Sequence, residues 1–130
     1  MYIRHAFLCE KAIFKNGKID IAGLTDQITL SALPATIQSE FPLVVGILWK
    51  NVAAPQDIIL RLHAPSGEVK DFTAPALSSQ YETQIQAIDL RGLTLTESGS
   101  HTFDILVDGE LYGKIEFETV VVPRFSDAVV

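Results

Sequence analysis

Polar and apolar residues alternate with a period of two through most of this chain, most clearly over residues 101–119. Phe103, Ile105 and Val107 fall on one face; after Asp108-Gly109, the residues Gly113, Ile115, Phe117 and Thr119 share a face, with Lys114, Glu116 and Glu118 opposite. Successive side chains of a strand point to opposite faces and Gly tolerates positive φ, so this pattern predicts a half-buried antiparallel hairpin. A second hairpin is predicted by Asn16-Gly17 between the apolar-rich runs 12–15 and 18–22, because Asn-Gly suits a type I′ turn whose twist matches its flanking strands.

Residues 2–8, 27–31, 57–64 and 69–72 read as further strands, with Pro65-Ser66-Gly67 as the turn between the last two. Residues 43–50 are apolar on both faces, as in a strand covered twice, and Gly46 would let a neighbour approach closely. Between Leu33-Pro34 and Phe41-Pro42 the prolines resist both helix and ladder and predict a plain connection. In residues 75–90, Leu77, Tyr81, Ile85 and Ile88 stand at helical spacing while Tyr81, Thr83, Ile85 and Ala87 alternate. Strands on both sides favour a loop followed by a strand over about residues 80–90.

These signals predict an all-β fold of eight or nine short strands in two packed antiparallel sheets. Val45, Ile47 and Trp49 should face Ile58, Leu60, Leu62, Phe103, Ile105, Ile115 and Phe117 across the core, since no other set is as consistently apolar. A single domain is expected over residues 1–122, with 123–130 as a C-terminal tail.

Composition narrows the function classes. The net charge is −6, and the ten Lys and Arg residues are scattered rather than striped, so neither nucleic acid nor an anionic membrane is an expected partner. One cysteine, Cys9, excludes an internal disulfide and points to the cytoplasm. No targeting run is visible near the start, and no uncharged apolar stretch nears the roughly 20 residues of a membrane helix. Hydrophobic residues make up 48%, which suggests a generous core or a face covered by another subunit.

Candidate chemistry is sparse. His5, His63 and His101 lie far apart without metal-ligand spacing, and read as ordinary strand or turn residues; no metal and no cofactor is expected. Asp104, Asp108, Glu110, Glu116 and Glu118 crowd one hairpin, either as a solvated charge row that protects an edge or as a Ca²⁺ site. Ser66-Gly67 and Ser98-Gly99 read as turns rather than nucleophile elbows, and Cys9 as a buried, inert thiol. Trp49 reads as a plug between sheets, or else as a ligand anchor.

The chain resembles a bacterial family of small immunoglobulin-like β-sandwich proteins of uncharacterised function. The resemblance rests on Leu8-Cys9-Glu10, the hairpin over residues 16–23 with Asp26 and Ile28 after it, Leu33-Pro34, and the run over residues 89–109. It implies an immunoglobulin-like two-sheet antiparallel β-sandwich. Many such domains place a Tyr two residues after a Gly like Gly99, tying a corner to nearby backbone; this chain has His101 there. The resemblance implies no activity. A non-enzymatic binding or assembly module, acting through a sheet face or edge strand on a protein partner or as a homodimer, is the leading expectation. A small-ligand or carbohydrate module using Trp49, Tyr81 and Tyr112 as stacking platforms is the alternative, and a hydrolase the third.

Overall fold

The computed structural model describes residues 1–16, 18–38, 42–78 and 82–123. Its strands are β1 (Tyr2–Cys9), β2 (Lys11–Lys15), β3 (Lys18–Ala22), β4 (Gln27–Leu30), β5 (Ala35–Thr36), β6 (Val44–Lys50), β7 (Ile58–His63), β8 (Val69–Thr73), β9 (Thr83–Asp89), β10 (Thr94–Leu95), β11 (Gly99–Val107) and β12 (Glu110–Val121). There is no helix among the described residues. The fold is all-β, as the alternation requires, and ambiguous residues 83–89 are a strand.

Two larger sheets share one buried apolar cluster: β1-β6-β9, and β4-β12-β11-β7-β8. All ten residues expected to face one another across the core are buried, from Val45, Ile47 and Trp49 on β6 to Ile115 and Phe117 on β12. β6 is buried without a break from Val45 to Trp49, and an added Cβ at Gly46 would lie 2.3 Å from the ring of Phe7, its cross-strand partner. The close approach read from Gly46 is thus made by an aromatic ring on β1.

The β11–β12 hairpin forms as expected, closed at Val107↔Glu110 by Asp108 (φ 51°) and Gly109 (φ 80°), the two positive values of a type I′ turn. Asn16 (φ 53°) has the conformation that the β2–β3 turn needs at its first position; Gly17 lies outside the described residues. That hairpin forms a two-stranded sheet of its own.

Four expectations are corrected. The described strands number twelve rather than eight or nine. Two of the additions, β5 and β10, are two-residue strands that pair with each other, and β5 sits inside the proline-flanked connection because Ala35 and Thr36 follow Pro34 and are free to bond. The sheets are not wholly antiparallel, since β4 runs parallel to β12 from Gln27↔Glu118 to Leu30↔Val121. On β9 it is Gln86 and Ile88 that are buried while Ala87 is exposed, the phase opposite to the Thr83-Ile85-Ala87 alternation. The expected tail lies outside the described residues from position 124 onward.

Candidate functional site

Trp49 is fully buried, so it is not a stacking platform. Its indole N–H donates to Gln86 Oε1 at 3.1 Å, and Gln86 Nε2 donates to the Pro75 carbonyl at 2.5 Å. A buried indole N–H needs such a partner, which explains why a glutamine occupies an inward position of β9. Tyr112 is half-buried with its ring 5.9 Å from that of Trp49, and Tyr81 lies outside the described residues.

The three histidines are not brought together. His5 is exposed on β1 and His63 lies on the outer face of β7. His101 is buried on β11, with Nδ1 3.0 Å from the Gly99 carbonyl and its ring stacked on Phe117. A carbonyl only accepts, so Nδ1 carries the proton, and the imidazole ties this segment to its own backbone. Ser66 is a turn residue held by Glu97, donating its hydroxyl to Oε2 at 2.5 Å and its N–H to Oε1 at 3.1 Å. Cys9 is fully enclosed, and burial pushes its thiol pKa up against the opposing backbone hydrogen bond at Lys11. Since the thiolate is the nucleophile, both the enclosure and the raised pKa disfavour reaction at this thiol.

The five carboxylates of the β11–β12 hairpin do not converge. Among the described residues no group of three or more His, Cys, Asp or Glu side chains is placed to hold a metal ion. Instead Asp71, Arg61, Asp104 and Lys114 stand in one cross-strand row over the outer face of β8, β7, β11 and β12. Arg61 grips Asp71 with two hydrogen bonds, at 2.8 and 3.1 Å, and these hold the Asp71 carboxyl below its ordinary range. Asp104 Oδ2 lies 2.8 Å from His63 Nε2. Its Oδ1 is buried without a hydrogen bond, and the Lys114 ammonium, 3.8 Å away, balances it by charge alone.

Lys114 also borders an open cleft of about 480 Å³ between the edges of the two larger sheets. Ala6, Phe7 and Leu8 of β1 and Ile115 of β12 supply apolar lining, together with Leu24, which is 66% exposed. Thr25, Asp26, Lys114 and Glu116 supply polar lining. The cleft exists because β12 outruns β4: the parallel pairing covers only Glu118–Val121, while residues 113–117 pair with β11 alone among the described strands. Glu118 and Val122 donate their N–H groups toward the β4 side, to Asp26 and Leu30. Backbone direction alternates along a strand, so the N–H and C=O of Lys114 and Glu116 also point to that side, where none of the described residues pairs with them. On β1 the Leu8 carbonyl accepts from Thr25, which by the same parity turns the backbone groups of Ala6 toward the cleft. Sequence pattern could not reveal this site, because it arises from a mismatch in length between two strands far apart in the chain.

The family model of DUF6941, a family of unknown function, matches residues 4–120. A search of curated proteins finds no match. Among solved structures the fold is similar to Pseudomonas fluorescens alkylpurine DNA glycosylase AlkC bound to DNA containing an abasic site analog, with a TM-score of 0.55 and 16% sequence identity. The match covers 92% of this chain and 30% of the glycosylase chain, and at that identity it speaks to fold alone. The chain belongs to the DUF6941 family.

Proposed function

We propose that this DUF6941 member is a non-enzymatic binding module with an immunoglobulin-like β-sandwich fold, which takes up an extended segment of a protein partner as an added strand along β12. The observation that carries this reading is the outward-facing backbone of Lys114 and Glu116, left unpaired among the described residues, beside an open, partly apolar cleft. Exposed strand edges recruit extended peptides through main-chain hydrogen bonds, with alternate side chains supplying specificity. Two larger sheets over one apolar cluster support the sandwich reading, and the lone enclosed thiol is in keeping with a cytoplasmic setting. The DNA held by the structurally similar glycosylase does not carry over, since a net charge of −6 and a carboxylate-bearing rim oppose phosphate binding.

The test is selection of displayed ten-residue peptides on the intact protein, followed by amide exchange and chemical-shift mapping. Selected peptides should protect the Lys114 and Glu116 amides. Glu116→Pro removes one outward N–H at an edge position that tolerates proline, and should abolish binding while the melting curve stays cooperative. Peptides that bind the Glu116→Pro variant unchanged, or that shift only amides remote from β1 and β12, would overturn the reading.

A further inference from the structure

We propose that the segment taken up is basic: an extended peptide with apolar side chains turned into the cleft and Lys or Arg at the alternate positions, an inference that rests on the edge-pairing reading above. An added strand shares the two faces of the strand it joins. One set of its side chains would therefore enter the cleft toward Ala6 and Ile115, and the other would lie on the outer face beside Lys114 and Glu116.

The charges that line the cleft are unequal. Lys114 is already opposed by Asp104, whose Oδ1 is buried and accepts no hydrogen bond. Glu116 and Asp26 are exposed on the rim, and neither is ion-paired among the described residues. The cleft thus presents two uncompensated carboxylates and one compensated cation. Opposite charges side by side on neighbouring strands are favourable and like charges unfavourable, so a cation on the incoming strand is selected and a carboxylate rejected.

The experiment titrates isotope-labelled full-length protein with three ten-residue peptides in which Val alternates with Thr and Lys, with Thr and Gln, or with Thr and Glu. The Lys peptide should move the amides of Ala6, Thr25, Lys114 and Glu116 and bind at least tenfold more tightly than the Glu peptide, a gap that closes in 1 M salt. Asp26→Asn combined with Glu116→Gln should lower affinity for the Lys peptide about tenfold and leave the Gln peptide unchanged; Asp26→Asn alone, at an exposed side chain, gives a milder second measure. Equal binding of all three peptides at these amides would overturn the basic preference and leave edge pairing standing. Movement of none of these amides by any peptide would overturn both.

Discussion

Trp49 illustrates how one residue organises its surroundings. Its ring fills the space between sheets, and its single polar atom drags a glutamine into the core, which in turn takes up the Pro75 carbonyl. Gln86→Leu would keep the volume and strand both partners, so a loss of about 1–3 kcal/mol is expected from urea denaturation, the cost of leaving buried polar groups unpaired. Trp49→Ala and Phe103→Ala should each cost roughly 3–5 kcal/mol, because both side chains are fully enclosed. Glu116→Ala, on the solvent face, should stay within about 0.5 kcal/mol. The inward set was readable beforehand wherever apolar residues alternate with charged ones, as in β7 and β12. It was unreadable on β9, where the buried position is a glutamine chosen for hydrogen bonding and the exposed one is an alanine.

Turns and strand lengths decide matters at the scale of the element. Gly109 sits at φ 80° in the β11–β12 turn with open space around the position of a Cβ. Gly109→Val would meet no neighbour yet would still strain the backbone, so a destabilisation of about 1 kcal/mol or more is expected, and an unchanged melting temperature would refute the turn assignment. Gly46 is the converse case, a glycine with no positive φ whose space is taken by the Phe7 ring. Gly46→Ala should cost about 1–3 kcal/mol through overpacking, and Phe7→Leu in the same chain should recover part of that loss. Hairpins such as β11–β12 were legible because their turn chemistry is local. The β5–β10 and β4–β12 pairings join segments far apart in the chain, and no local signal specifies them.

At the scale of the whole molecule, that parallel β4–β12 pairing both completes the five-stranded sheet and, by ending at Glu118, leaves the cleft open. Electrostatics sets how such a molecule responds to acid. Arg61 lowers the Asp71 carboxyl chiefly by hydrogen bonding, and Arg91 lowers that of Asp89 through its backbone N–H and its guanidinium. A carboxyl whose folded pKa lies below its unfolded value binds fewer protons when folded. Its contribution is complete above the ordinary carboxylate range, about pH 4, and disappears as pH falls through the depressed folded value. Both aspartates lie at the surface, where solvent and salt screen them, so their effect belongs in a pH profile rather than in the stability at neutrality. Urea midpoints of the parent and of Asp71→Asn, measured from pH 7 to pH 2, should differ by a constant small amount above about pH 4 and converge below it, with the gap narrower in 1 M salt. A gap that persisted unchanged to pH 2 would show that the Asp71 charge is not what stabilises, and that the asparagine variant is weakened instead by lost hydrogen-bond geometry at Arg61.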